Sequence, residues 1–105
     1  MTNIKLIYTT FSRADDSQII IKQLLEEKLI ACANINSNMQ SMYQWEGKIC
    51  CEDEVSVILK TSDSLVNKTM ARLKALHPYK TPCILVLSLS SIDEHFARWI
   101  NEVLK

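Results

Sequence analysis

The chain has 105 residues, of which 48% are apolar, and this length and composition suffice for one domain with its own core. Its 12 basic residues balance its 12 acidic residues, so no excess charge predicts binding to nucleic acid or to an anionic membrane. The apolar runs are much shorter than the roughly twenty residues of a transmembrane helix, and the N-terminus resembles a strand instead of a signal peptide. We therefore predict a single cytoplasmic domain over residues 1–105 that binds neither nucleic acid nor membrane.

The cysteine spacing favours the same compartment. Cys32, Cys50, Cys51 and Cys83 include no C-x-x-C pair, and the adjacent pair would point to opposite faces of a strand. This pattern is typical neither of a zinc knuckle nor of a secreted disulfide framework. We expect at least two of these cysteines to be buried or half-buried as ordinary apolar residues.

The first two predicted elements are a strand and a helix. Residues 5–11, KLIYTTF, are rich in β-branched and aromatic side chains, which favours a strand. Ser12 and Asp15 have the spacing of a capping box, so we predict that a helix begins there. The apolar stripe of this helix would consist of Ile21, Leu24, Leu25 and Leu29.

A long hairpin is predicted over residues 31–61. Gly47 is the sole glycine, and a two-residue turn needs positive φ, so we predict the turn at Glu46-Gly47-Lys48. Each arm of about fifteen residues would reach about 50 Å when straight, whereas a compact domain of this length is roughly 33 Å across. Because the tip would then expose Tyr43 and Trp45, we predict that the arm packs against other copies of the chain. A bulge or kink in the Asn- and Ser-rich part, with the tip folded back, is the alternative.

The two arms differ in how regularly their side chains alternate. In the second arm, Val55, Val57 and Leu59 alternate with polar residues that include Glu54 and Lys60, which is typical of a half-buried strand. In the first arm, strict alternation would place four apolar side chains on one side, namely Ile35, Met39, Tyr43 and Trp45.

A second helix and a rigid connector are predicted after the hairpin. Residues 61–64 supply N-cap side chains, and Pro78 ends the helical pattern. The apolar stripe would consist of Val66, Met70, Leu73 and Leu76. Residues 77–82, HPYKTP, contain both prolines of the chain, so they form an extended, rigid connector.

The last predicted elements are an apolar strand and a terminal helix. Residues 83–89, CILVLSL, are almost continuously apolar, which predicts a strand that is buried on both faces or central in its sheet. Ser91 and Glu94 have capping-box spacing at the start of the final helix. Its apolar stripe would consist of Phe96, Trp99, Ile100 and Val103.

The predicted element order is β-α-β-β-α-β with an additional C-terminal helix. Two β-α-β halves with right-handed crossovers, joined by a hairpin, give an α+β ferredoxin-like sandwich. The residues required for three common functions of this fold are missing from this sequence. The first turn, TTFSRADD, has no thiol for metal transfer, the third strand has no aromatic side chain for stacking on RNA bases, and one glycine cannot build a phosphate-binding loop.

One group of residues remains as a candidate site. Lys60 closes the third strand, His77 closes the second helix, and Glu54 has the same parity as Lys60, so we expect these three near one end of the sheet. A ligand cleft is predicted from Cys32, Tyr43, Trp45, Glu54, Lys60, His77 and Tyr79. Simpler interpretations stay open, because His77 suits a helix C-terminus and Lys60 suits a solvated strand end. Cys32 and His77 as nucleophile and base are a further alternative.

Five sequence strings closely resemble the CutA family of divalent-cation tolerance proteins. They are YTTF, LIACANI, SMYQWEGKI, LKTSDSL and HPYKTPCILVL, and together they span most of the chain. The resemblance implies a ferredoxin-like homotrimer, similar in plan to PII-type signalling proteins, with a role in the response to metal ions and no established reaction. The recurring positions of the family fall on Cys32, Tyr43, Trp45, Glu46, Gly47, Lys60, His77, Pro78, Tyr79 and Pro82.

The resemblance is incomplete at the proposed copper ligands. Family members discussed as copper binders carry a cysteine in the first strand and adjacent histidines before the proline, where this chain has Tyr8, Leu76 and His77. His77 is therefore the single metal ligand that the resemblance predicts, and borderline metals prefer three or four nitrogen or sulfur ligands. Cys50 and Cys51 are additional thiols after the G-K-I string.

These observations predict a non-enzymatic homotrimer for divalent metal tolerance, which binds copper, another divalent cation or a small ligand in a cleft between subunits. Two alternatives from other classes stay open. One is an uncharacterised enzyme that uses His77 and Lys60 in that cleft, and the other is a PII-like signalling or scaffold protein.

Overall fold

The computed structural model describes residues 3–105 and contains four strands and three helices in the predicted order. The strands are β1 (Ile4–Phe11), β2 (Cys32–Trp45), β3 (Lys48–Ser62) and β4 (Ile84–Ser88), and the helices are α1 (Ala14–Glu26), α2 (Val66–Leu76) and α3 (Glu94–Val103). The α+β ferredoxin-like fold with a long hairpin and an extra C-terminal helix is confirmed.

All strand pairs in the sheet are antiparallel, and the strand order is β2-β3-β1-β4. β1 and β3 provide buried Ile7, Phe11, Val57 and other side chains on the face covered by α1 and α2. Ile4 has the opposite parity to Ile7, so it lies on the other face, where it packs with Ala31 and with Ile100 of α3. The helices therefore cover one face over the body of the sheet and the other face only near one end.

The hairpin turn lies where the single glycine predicts it. Trp45 pairs with Lys48, and the two residues between them have positive φ, 50° at Glu46 and 77° at Gly47. Positive φ at both central positions is the geometry of a type I′ turn, which matches the twist of the flanking strands. The longest dimension of the chain is 45 Å, so the hairpin projects beyond the body instead of folding back.

A β-bulge in β2 changes which side chains share a face. Asn36 pairs with Ser56 and Met39 pairs with Glu54, so β2 carries one extra residue between these pairs. The prediction that Ile35 shares a side with Met39, Tyr43 and Trp45 is wrong for this reason. Ile35 pairs with buried Val57 on the helical face, whereas the other three lie on the opposite face.

The helix starts differ from the predicted capping boxes. The N-cap of α1 is Arg13 instead of Ser12, and the N-cap of α2 is Leu65, and neither makes a side-chain capping bond. At α3 the cap is Asp93, whose Oδ2 accepts a hydrogen bond from the Phe96 amide at 3.0 Å, and not Ser91. Several neighbouring residues at each start are polar and could serve as the N-cap, so the sequence spacing alone does not identify the residue at which the helix begins.

The predicted central or doubly buried position of β4 is also wrong. β4 pairs with β1 alone and forms an edge of the sheet. Leu85 and Leu87 are 53% and 44% exposed in the single chain. An apolar run predicts that a strand is buried, but it does not specify whether the same chain buries it. In the single chain, β4 stays exposed.

Gly47→Ala is expected to destabilise the protein by about 1 kcal/mol, because an alanine Cβ is unfavourable at positive φ. Apart from the adjacent residues of the turn, no atom lies within 4 Å of the position that this Cβ would take, so the backbone conformation causes the loss. Urea unfolding at a fixed protein concentration measures it. Gly47→Asn is the control and should lose less, because asparagine tolerates positive φ; equal losses for both variants would contradict this explanation.

Candidate functional site

A cleft forms where β1 ends and β3 continues. The last residue of β1, Phe11, pairs with Val55, whereas β3 extends further towards the turn beside β2 alone. The connector after α2 occupies the space beside β3, and the Tyr79 hydroxyl donates a 2.8 Å hydrogen bond to Glu54 Oε2. The resulting cleft has a volume of about 530 Å³ and is lined by Thr10, Ser12, Tyr43, Trp45, Cys50, Glu52, Glu54, Tyr79, Lys80, Thr81 and Cys83.

The hairpin contributes an aromatic wall and a second carboxylate to the cleft. Tyr43 pairs with Cys50, and Ser41 pairs with Glu52, so the bulge places Tyr43 and Glu52 on the same face. The Tyr43 hydroxyl donates a 2.6 Å hydrogen bond to Glu52 Oε1. This hydrogen bond, followed by desolvation and the charge of Glu52, raises the pKa of Tyr43 to about 12.

His77 supports the opposite wall from behind. Its ring stacks on Phe11 with 4.4 Å between ring centroids and lies 4.8 Å from the Tyr79 ring. The Tyr79 amide donates to His77 Nδ1 at 3.1 Å, so Nδ1 is the unprotonated nitrogen and Nε2–H donates to the Thr10 carbonyl at 2.8 Å. Burial lowers the pKa of His77, against smaller opposing effects of the Thr10 carbonyl and of Glu54.

Negative charge dominates the electrostatics of the cleft. Burial and then the hydrogen bond to Glu54 raise the pKa of Tyr79. Burial and then the charge of Glu54 raise the pKa of Cys83. Glu52 and Glu54 thus bring two carboxylates to the lining, and Lys80 brings one basic side chain. The cleft consequently favours a positively charged or hydrogen-bond-donating ligand over an anion.

The structure brings together only part of the predicted site. Tyr43, Trp45, Glu54 and Tyr79 line the cleft, and His77 contacts Tyr79 from behind. Sequence reasoning missed Glu52, Cys50 and Cys83, although the even spacing of Glu52 and Glu54 indicated a shared face. Because the bulge adds one residue to β2, counting alternate positions from Ile35 gives the wrong face for Tyr43. The sequence therefore did not indicate that Tyr43 would meet Glu52.

The prediction that Lys60 lies near Glu54 and His77 is wrong. Lys60 is six residues further along β3 than Glu54, which is about 20 Å at the usual rise per residue. Its Nζ donates to Asn34 Oδ1 and lies 5.7 Å from the Phe96 ring centroid. Cys32 pairs directly with Lys60, so both residues belong to the base of the hairpin beside α3.

Metal binding by His77 would require a change in this arrangement. Both ring nitrogens are engaged with backbone groups, so a metal ion would have to displace the Thr10 carbonyl or the Tyr79 amide. Within residues 3–105, no three side chains of His, Cys, Asp or Glu are grouped as a metal site. The role of His77 as a metal ligand stays a prediction.

Comparison with known proteins identifies the family. Residues 5–103 match the family described as CutA1 divalent ion tolerance protein. The chain belongs to the CutA1 family. Over 100 residues it is 39% identical to the divalent-cation tolerance protein CutA of Pyrococcus horikoshii, covering 95% of this chain and 97% of the relative. It is 40% identical over 89 residues to CutA of an Escherichia coli strain, covering 85% of this chain and 80% of the relative.

Solved structures of the family have the same fold as this CutA1 protein. The crystal structure of CutA1 from Ehrlichia chaffeensis is 42% identical and superposes with a TM-score of 0.95, covering 100% of this chain and 98% of the other. The Archaeoglobus fulgidus structure, described as a periplasmic divalent cation tolerance protein, is 35% identical with a TM-score of 0.92, covering 97% and 99%. Among residues 3–105, no helix is both long and apolar enough to cross a membrane.

The stability of this CutA1 protein should fall when His77 becomes protonated. Because the folded-state pKa of His77 is below its ordinary value of 6.5, its contribution is complete above pH 6.5 and is lost as the pH falls through the lowered value. Thermal melting between about pH 7.5 and about pH 5.5, above most carboxylate titrations, measures this decrease.

The two histidines of the chain allow a matched control for this decrease. His77→Gln should flatten the pH dependence, whereas His95→Gln on the exposed side of α3 should leave it unchanged. An equally steep decrease in the His77→Gln variant would show that other groups cause it.

Proposed function

We propose that this CutA1 protein is a non-enzymatic cytoplasmic homotrimer that acts in divalent-cation tolerance and binds a ligand in the cleft. Membership of the CutA1 family over residues 5–103 is the observation that carries the role in metal tolerance. The cytoplasmic location is supported by its four cysteines, all of which are free thiols within residues 3–105.

The proposed assembly rests on apolar surface that one chain leaves exposed. On β4, Leu85 and Leu87 have the same parity and pair with Tyr8 and Leu6, so they belong to a single face of the sheet. Trp99 of α3 and Met42 of the projecting hairpin are also exposed. Soluble monomers seldom carry this much apolar surface together with an open strand edge, whereas neighbouring copies in a closed ring would cover both.

A role for the cleft as a ligand site is supported by its composition. Its volume of about 530 Å³ is in the range of small-molecule sites, and it combines aromatic walls with a few polar groups. The enzymatic alternative has less support, because Lys60 is remote from the cleft and both nitrogens of His77 are engaged in hydrogen bonds to the backbone. Copper binding through His77 is proposed only as a weak interaction for the same reason.

Replacing both leucines of β4, in the variant Leu85→Glu/Leu87→Glu, should dissociate the trimer into monomers. Burial of each leucine contributes roughly 1.5–3 kcal/mol, so the dissociation constant should rise by about a hundredfold or more. Sedimentation velocity at micromolar concentration measures the subunit number, and circular dichroism checks that the variant folds.

Ile19→Glu is the matched control for the assembly. Ile19 is an equally apolar side chain, 67% exposed, but it lies on α1 at the opposite face of the sheet, so the trimer should persist. A monomeric unmodified protein would refute the proposed assembly.

The role in metal tolerance is tested by growth. Cells without this protein should grow more slowly in excess Cu²⁺, Zn²⁺ or Cd²⁺, and the unmodified gene should restore growth. Na⁺ at matched ionic strength is the control, since it changes ionic strength without supplying a divalent cation. Identical growth of both strains over the whole range of metal concentrations would contradict the proposed function.

A further inference from the structure

The two carboxylates of the cleft are held in position, each with an oxygen left for a ligand. Tyr43 donates to Oε1 of Glu52, and Tyr79 donates to Oε2 of Glu54. Among the described residues, no other side chain bonds or forms an ion pair with either carboxylate, so Glu52 Oε2 and Glu54 Oε1 stay available as acceptors. The tyrosine hydroxyls thus orient both carboxylates without neutralising them.

Three aromatic side chains surround these carboxylates. Tyr43 and Trp45 are two residues apart on β2, so they lie on the same face of the hairpin, and they are 39% and 57% exposed. Tyr79 stands on the connector at the other side of the cleft. Aromatic faces attract cations, and tryptophan does so most strongly, so these walls add to the attraction of the carboxylates.

An inorganic divalent cation matches this cleft poorly. Calcium takes six to eight oxygen ligands and magnesium takes six, whereas residues 3–105 contain no group of three His, Cys, Asp or Glu side chains suited to a metal ion. A cleft of about 530 Å³ is also much larger than a single ion requires. An organic cation, in contrast, fills the volume with its apolar body and needs only one or two acceptors for its ammonium group.

We propose that the cleft binds a small organic ammonium ion, whose N–H groups donate to Glu52 and Glu54 while its apolar body packs against Trp45. This inference rests on the proposed function, because it names the ligand class of the same cleft. Lys80 lies in the lining as well and repels such a ligand, so this side chain limits the affinity.

The probes are three molecules that share one ring and differ in charge: cyclohexylammonium, cyclohexanol and cyclohexanecarboxylate. Titration calorimetry of the full-length protein at neutral pH should show binding of the ammonium ion, weaker binding of the alcohol and no binding of the carboxylate. Amide chemical shifts in nuclear magnetic resonance should move at Tyr43 and Tyr79. Equal affinity for the ammonium ion and the alcohol would overturn the proposal, because it would show that the carboxylates do not take part.

Charge variants test the assignment of the carboxylates. Glu52→Gln and Glu54→Gln should each weaken cyclohexylammonium binding about five- to tenfold, in line with the loss of a charged hydrogen-bond acceptor. Lys80→Met should strengthen it by roughly two- to fivefold. Asp53→Asn is the matched control, because Asp53 lies between the two glutamates on β3 and is exposed on the other face. Equal losses in the Asp53→Asn variant would overturn the proposal in favour of a diffuse surface charge.

The aromatic wall has its own variant. Trp45→Leu keeps an apolar surface but removes the π face, so it should weaken ammonium binding about three- to fivefold and leave cyclohexanol binding almost unchanged. Equal weakening of both ligands would overturn the role of the π face. Zn²⁺ binding that depends on Glu52 and Glu54, without any ammonium binding, would overturn the ligand class.

Measurements on the same variants distinguish a failure of this inference from a failure of the proposed function. Subunit number and growth in excess metal are measured independently of ligand binding. A metal-tolerance trimer that prefers cyclohexanol to cyclohexylammonium would lose only the ligand assignment. A monomer that binds cyclohexylammonium through Glu52 and Glu54 would support the ligand assignment and refute the trimer.

Discussion

The unequal lengths of two paired strands determine most of this structure. β3 has 15 residues and β1 has 8, so the part of β3 near the turn has β2 as its only partner. That part projects as a two-stranded ribbon, and the space beside it receives the connector that carries Tyr79. The hydrogen bond from Tyr79 to Glu54 then joins the ribbon to the body. Without this difference in length there would be neither a cleft nor a projecting arm.

The net charge of the chain does not reveal that the cleft is acidic. The chain is neutral as a whole, yet two glutamates face one lysine in the lining. The hydrogen bond to Glu52 raises the pKa of Tyr43 to about 12, whereas burial, and then Glu54, raises the pKa of Tyr79 and of Cys83. His77, in contrast, favours its neutral form, because burial lowers its pKa. The site therefore combines an acidic opening with a neutral, rigid support, which is a favourable arrangement for binding without large rearrangement.

The sequence predicts the features that depend on local chemistry. A single glycine sets the hairpin turn, and the alternation of Val55, Val57 and Leu59 sets the buried face of β3. Features that depend on pairing partners were not predictable. The bulge follows from how β2 meets β3. The distance of Lys60 from Glu54, in contrast, was predictable, because six residues of a strand span about 20 Å and shared parity gives only a common face. The exposure of β4 follows from its position at the edge of the sheet, which its apolar composition did not indicate.

The bulge between Asn36 and Met39 has a consequence for how this arm varies among homologues. The one extra residue, next to which Asn36 Oδ1 accepts a hydrogen bond from the Asn38 amide at 3.0 Å, is the reason that Ile35 and Tyr43 lie on opposite faces although they are an even number of residues apart. Loss of a single codon in this segment would convert the bulge into regular pairing, whereas the turn at Glu46-Gly47 would hold the register of the distal arm, so Tyr43 and Trp45 would keep their face. The bulge therefore allows this arm to lose one residue of length without exchanging the two surfaces of its tip.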